Sequence, residues 1–147
     1  LAEPLAKLLG GVWINADQVR ERYEGRDQTK WDFSEQGRIK QAERIRHIAD
    51  GVIESGKVAV ADFVCPTAET RKIFNADFTV WMDTLKEGRY EDTNDMFEPA
   101  ERHDVDYHVA QWFTDTHTQL VPIIERFMKK QNTTPIGYVA WRLENEE

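Results

Sequence analysis

The sequence lacks several features that assign a protein to a specialised class. It contains one cysteine, Cys65, so no disulfide can form within the chain, and this fits a reducing compartment. It has no apolar run of membrane-spanning length and no charged, then apolar opening segment of the kind found in signal peptides. These absences predict a cytoplasmic protein with no membrane partner.

The sequence also has fewer basic than acidic residues. Lysine and arginine number 19 against 27 aspartate and glutamate residues, which gives a formal net charge of -8. Because phosphate contacts dominate the binding of nucleic acids, an acidic surface argues against a nucleic-acid partner. A phosphorylated ligand would therefore need a local basic pocket.

The sequence has few residues or segments that would interrupt regular structure or separate domains. There are 8 glycines and 5 prolines, and no repeat, low-complexity stretch or linker divides the sequence. Hydrophobic residues make up 40% and charged residues 31%, as in a typical globular domain. We expect residues 1–147 to form a single domain.

Hydrophobic periodicity predicts alternating helices and strands. Ser34 is a good N-cap for a long helix that ends at about residue 55, where Gly56 follows. The other predicted helices cover residues 1–10, 68–74 and 115–130, with a short helix and a loop in 21–32, and the predicted strands are 12–15, 57–63, 78–82 and 105–109. This alternation predicts a three-layer α/β fold, in which a parallel sheet has helices on both faces.

Two segments do not fit this alternation. Residues 86–102 are charged and long for a connection, which favours a functional lid. Residues 136–141 are apolar and lie in the tail that follows the last predicted helix, so the pattern does not place them.

Polar residues follow the predicted strands at the edge where ligands bind to parallel sheets. Asp17 and Arg20 come after the first strand, at a helix start, and Asp62 ends the second. A carboxylate at the end of a buried strand suits Mg²⁺, which takes one or two carboxylates together with phosphate oxygens and water. Asp62 is therefore a candidate metal ligand beside a nucleotide.

Three short motifs, in this order, resemble adenylylsulfate kinase, a P-loop kinase family. They are Asn15-Ala-Asp-Gln-Val-Arg20, Phe33-Ser-Glu-Gln-Gly-Arg-Ile39, and Phe63-Val-Cys-Pro66 followed by Arg71. The family has Asp-Gly-Asp-Asn-Val-Arg, Phe-Ser-x-x-x-Arg-Ile and Phe-Ile-Ser-Pro. The resemblance covers roughly residues 1–84, with a few extra residues before Phe33. It implies a P-loop-kinase-like sheet and a transferase that takes ATP and Mg²⁺.

The resemblance also implies roles for individual residues. The family phosphorylates the 3′-hydroxyl of adenylylsulfate, a small nucleotide substrate of sulfate assimilation. Asp17 matches the acidic residue that assists the hydroxyl and the metal. The residues that match the family's contacts to the sulfonucleotide are Arg20 and Arg38 (anion clamp), Phe33 (adenine stacking), Gln41 (where the family has Asn), and Val64 and Cys65 (backbone approach). By position alone, Arg89 is a candidate lid arginine and Phe97 a candidate second adenine contact.

The sequence departs from the family at informative places. Cys65 replaces a serine and Gln18 an asparagine, and the family's lid has no clear counterpart. The Gly-x-x-x-x-Gly-Lys-Ser/Thr phosphate loop does not occur in the chain. We expect the loop and the central strand before it to belong to an upstream segment. Otherwise the gap in the sheet is closed by a partner chain, as in a homodimer, or by residues 136–141.

Plainer interpretations of the same residues remain open. Asp17 is equally typical of a helix N-cap, Phe33 of a hydrophobic staple at a helix entry, and Cys65 of a small buried residue. Two other functions also remain open. One is a kinase for another nucleotide or a small hydroxyl compound, and the other is a non-catalytic protein that binds a nucleotide or pairs with a second chain.

Overall fold

The computed structural model describes residues 1–83, 105–111 and 113–131, and the backbone of residues 137–142. Within these residues the elements are, in chain order, α1 (Ala2–Leu8), β1 (Val12–Asn15), α2 (Ala16–Glu24), a 3-10 turn (Gln28–Lys30), α3 (Glu35–Glu54), β2 (Ala59–Asp62), α4 (Ala68–Phe74), β3 (Phe78–Met82), β4 (Tyr107–Val109), α5 (Thr116–Gln131) and β5 (Gly137–Arg142). No helix of this described part is both long enough and apolar enough to cross a membrane.

The five strands form one sheet in the order β1-β2-β5-β3-β4, and every neighbouring pair is parallel. Parallel pairing brings the carboxyl ends of all the strands to one edge. β2 has all four residues buried, as expected for an inner strand of a sheet covered on both faces.

β5 is the last strand in the chain but lies third in the sheet. Val139 pairs with Ala61 of β2 on one side and with Thr79 of β3 on the other. The strand at the centre of the sheet therefore comes from the apolar 136–141 segment, which is one of the alternatives that the sequence left open for closing the gap. The reason is physical: a strand there supplies backbone donors and acceptors to two strands at once.

Helices cover both faces of the sheet, as the sequence predicts. Val60 of β2 packs on one side with Leu5 of α1 and Leu120 of α5. Ala59 and Ala61, which point to the opposite side, pack with residues of α2, α3 and α4. The three-layer α/β architecture follows from this alternation along the strands.

The helix boundaries follow from local capping. Ser34 caps α3, since its side chain accepts a hydrogen bond from the amide of Gly37, and Gly56 with φ 86° follows the helix. The side chain of Asn15 accepts a hydrogen bond from the amide of Gln18 and so caps α2. α2 therefore starts at Ala16, in agreement with the helix start predicted at Asp17 and Arg20, and it runs into the polar stretch that begins at residue 21. β2 and β4 are each shorter than predicted.

Candidate functional site

A small cleft opens at the carboxyl ends of β1 and β2, with a cavity volume of about 60 Å³. Its walls come from three stretches of chain that are far apart in sequence: the start of α2, the entry to α3, and the segment after β2. The lining residues are Ala16, Asp17, Arg20, Phe33, Arg38, Gln41, Phe63, Val64, Cys65 and Pro66. Seven of the residues selected from the sequence therefore lie around one cavity.

Phe33 is one of two phenylalanines that line the cleft, the other being Phe63. The guanidinium carbon of Arg20 lies 4.7 Å from the centroid of the Phe33 ring, and that of Arg38 lies at the same distance. Trp31 supports the ring at 6.2 Å between centroids, and its indole N–H donates to the carbonyl of Gly25 at 2.7 Å. The cleft thus combines two cations with an aromatic face, which suits an anionic ligand that carries a planar ring.

Arg20 is 3% exposed and fixed on one side only. Its Nη1 donates to Oε2 of Glu24 at 3.0 Å and to the carbonyl of Asp32 at 2.8 Å. Its Nη2 is buried and has no hydrogen-bond partner among the described residues. Burial lowers the pKa of the Arg20 guanidinium, with Glu24 acting in the opposite direction, yet an arginine stays charged at neutral pH. Nη2 of Arg20 is therefore a charged donor without an acceptor among the described residues.

Glu24, which the sequence did not single out, holds this arrangement together. Its Oε1 accepts from the amide of Asp32 at 2.7 Å, and its Oε2 accepts from Arg44 at 2.7 Å as well as from Arg20. Burial raises the pKa of Glu24, but the amide of Asp32 and the two arginines outweigh burial and hold the pKa below its ordinary value. Glu24 is thus a shared carboxylate between two guanidinium groups. The signal was its position four residues after Arg20, which lies on one helix face once α2 starts at Ala16.

Gln41 ties α3 to the start of α2. Its Nε2 donates to the carbonyl of Ala16 at 2.9 Å, and its Oε1 accepts from Arg44 at 3.3 Å. Both ends of the amide are engaged within the protein, while the residue also lines the cleft. Gln41 is therefore a brace between the two helices in this structure.

The segment after β2 forms a tight turn. Cys65 has φ 48°, in the left-handed region that few non-glycine residues adopt, and it is 2% exposed. Arg71 spans the turn: Nε donates to the carbonyl of Cys65 and Nη2 to that of Pro66, both at 3.1 Å. Burial raises the pKa of the Cys65 thiol to about 12, against the opposing effects of Thr70, Arg71 and Arg38. Cys65 is a small buried residue, as the plainer interpretation has it.

Asp17 is partly buried and lines the cleft from the first turn of α2. The alternative role as N-cap is wrong, since Asn15 is the cap. Asp62 ends β2 with 5% exposure and is not among the lining residues. No group of three or more His, Cys, Asp or Glu side chains that could hold a metal occurs in the described ranges. A single carboxylate at the cleft still fits Mg²⁺ that brings its own phosphate and water ligands, and Asp17 meets that requirement.

Arg89 and Phe97, and with them the predicted lid 86–102, lie outside the described residues. A further polar pair stands at the carboxyl end of β3, where Nε2 of His108 lies 3.0 Å from Oδ2 of Asp83. The His108 ring stacks on Trp81 at 4.4 Å between centroids. This pair belongs to the other half of the sheet, and none of its members lines the cleft.

Comparison of the chain with protein-family models, with curated proteins and with solved structures gives no match in any of the three.

Proposed function

We propose that the chain is an adenylylsulfate-kinase-like phosphotransferase whose cleft binds the sulfonucleotide acceptor. The observation that carries this proposal is the convergence of Arg20, Phe33 and Arg38 on one cavity. Two guanidinium groups 4.7 Å from an aromatic centroid match a ligand with an anionic sulfate–phosphate group and an adenine base. The proposal also takes the P-loop-kinase-like sheet from the sequence resemblance.

The chemistry follows from the residues around the cleft. Arg20 and Arg38 bind the anionic group, and the ring of Phe33 offers an apolar surface for the base. The 3′-hydroxyl oxygen of the acceptor forms a bond to the γ-phosphorus of ATP, and the bond between that phosphorus and the ADP oxygen breaks. Asp17 receives the proton that the hydroxyl group loses. Mg²⁺, when bound beside Asp17, supplies charge neutralisation for the phosphates. Positioning and electrostatics account for most of the catalysis in reactions of this kind.

The first test is calorimetric titration of the protein with adenylylsulfate. Arg38→Ala and Arg20→Ala should each weaken binding by at least about tenfold, because a hydrogen bond to a charged group contributes about 1.5–3 kcal/mol. Arg26→Ala is the matched control, since Arg26 is 92% exposed and, among the described residues, forms a surface ion pair with Glu21. Equal affinity in all four proteins would contradict the proposal.

A second candidate, nucleotide binding without phosphotransfer, is favoured by one observation. The chain contains no Gly-x-x-x-x-Gly-Lys-Ser/Thr motif, and the strand in the middle of its sheet is β5. Labelled ATP with Mg²⁺ and a panel of acceptors separates the possibilities. Transfer to adenylylsulfate supports the first candidate, transfer to another hydroxyl compound changes the acceptor, and tight binding without transfer supports the second.

A further inference from the structure

Glu24 stands behind the cleft rather than in its wall. It lies in the last turn of α2 with a side chain that is 12% exposed, and it is not a lining residue. Its two carboxylate oxygens have separate tasks: Oε1 holds the amide of Asp32, and Oε2 holds Arg20 and Arg44. A single partly buried side chain therefore connects α2, the segment before Phe33, and α3.

These contacts restrict Arg20. The carboxylate of Glu24 and the carbonyl of Asp32 both take Nη1, so rotation of the guanidinium plane would break two hydrogen bonds. The ring of Phe33 limits the guanidinium from a third direction. Nη2 is left buried and without a partner among the described residues, which is costly unless a ligand accepts its hydrogens.

We infer that Glu24 is a positioning residue, which orients Arg20 so that Nη2 is available to an anionic group of the ligand in the cleft. The identity of that ligand as a sulfonucleotide rests on the proposed function. Holding the fork in one orientation before binding lowers the entropy lost when the anion arrives. Arg44 shares Oε2, so the three groups together keep one positive charge.

If Glu24 acted only through its charge, its removal would change the affinity for an anion in the opposite direction. A carboxylate this close to Arg20 opposes the approach of an anion, so removing its charge would strengthen anion binding if electrostatics alone mattered. Loss of positioning predicts weaker binding instead. The direction of the change therefore distinguishes the two roles.

Glu24→Gln is the decisive variant. The amide oxygen of glutamine still accepts from Asp32, whereas its NH₂ group cannot accept from Arg20 and Arg44. We expect the affinity for adenylylsulfate, measured by calorimetry, to fall about tenfold, as for loss of a hydrogen bond to a charged group. Glu21→Gln is the matched control, because it removes the same charge from the same helix at a half-exposed side chain. It should change affinity by less than about twofold, since surface ion pairs contribute little.

A second variant keeps the positioning role testable if Glu24→Gln does not fold. Glu24→Asp keeps the charge but withdraws the carboxylate by one methylene, and it should weaken binding in the same direction. Unchanged or tighter binding in either folded variant would overturn the positioning role.

A measurement without ligand separates this inference from the proposed function. In the NMR spectrum of the free protein, the Nη hydrogens of Arg20 should be resolved from one another and exchange slowly with water. In Glu24→Gln they should average, whereas in Glu21→Gln they should not. If the unmodified protein fails to bind adenylylsulfate, the proposed function fails. The spectra then decide positioning by themselves: averaging in Glu24→Gln supports it, and unchanged resonances overturn it.

Discussion

Phe33 owes its place to its position just before the N-cap of α3. Ser34 caps that helix, so Phe33 is the residue that a hydrophobic staple would pack against the fourth residue of the helix, which is Arg38. Here the partner is a guanidinium 4.7 Å from the ring centroid. The same contact that fixes the chain entry thus sets an arginine beside an aromatic face in the cleft. The two interpretations of Phe33 are compatible for this reason.

Gly37 permits the close approach of the loop that carries Phe33. A Cβ atom at this position would lie 2.2 Å from the carbonyl oxygen of Asp32 and 2.6 Å from its Cγ. That carbonyl accepts from Arg20, so the loop cannot move without disturbing the cleft.

We therefore predict that Gly37→Ala lowers the free energy of unfolding by about 1–3 kcal/mol, although alanine is the better helix former. The affinity for adenylylsulfate should fall as well. Gly51→Ala, in the same helix, is the control: nothing lies within 4 Å of its added Cβ. That substitution should raise stability by about 0.5–1 kcal/mol in urea denaturation. Similar changes in both variants would contradict the steric argument.

At the scale of elements, α2 sets the positions of the polar side chains between the sheet and the cleft. It begins immediately after β1, and its residues Asp17, Arg20 and Glu24 are spaced by three and four positions. This spacing sets them along one helical face, which turns toward the loop before α3. The turn after β2 forms the opposite wall and is fixed in a different way, by an arginine from α4.

Arg71 should stabilise that turn, because it donates to the carbonyls of Cys65 and Pro66 while Cys65 holds a left-handed backbone. We predict that Arg71→Met lowers stability by about 1–3 kcal/mol, the range for lost hydrogen bonds to a charged group. It should also weaken the binding of adenylylsulfate, since the turn lines the cleft. Lys72→Met, at the exposed neighbouring position of α4, should change neither quantity. A stable Arg71→Met protein with full affinity would show that the turn needs no such support.

At the scale of the whole molecule, the sheet depends on its last strand. β5 joins β2 to β3, and no direct pairing between these two strands occurs in the described sheet. The halves β1–β2 and β3–β4 are thus joined by a segment that follows α5 in the chain. This long-range pairing makes the integrity of the cleft half depend on the far end of the sequence.

Val139→Pro tests that dependence, because proline removes a backbone donor and clashes within an inner strand. Val139 pairs on both sides, with Ala61 and Thr79, so we expect a loss of about 3 kcal/mol or more of unfolding free energy. Val139→Thr keeps the backbone donor and a β-branched side chain, and it should be far milder. Circular dichroism during urea unfolding measures both. A Val139→Pro protein with unchanged stability would contradict the central position of β5.

Local signals in the sequence determined most of the elements. The bounds of β1, α4 and β3 agree with the prediction, as does the Ser34 cap of α3, because capping residues and hydrophobic periods act over a few residues. The ordered motifs also selected seven residues that line one cleft. Their roles in binding and catalysis stay predictions.

Only the tertiary structure decided the rest. The position of β5, the sharing of Glu24 between Arg20 and Arg44, and the bracing of the Cys65 turn by Arg71 all join residues that are apart in the chain or on different elements. Such contacts leave no periodic trace in the sequence, because they depend on which elements pack together and not on local spacing. The sequence by itself therefore determined the helices, most of the strands and the candidate residues, while packing decided how the sheet closes and which donors the cleft leaves free.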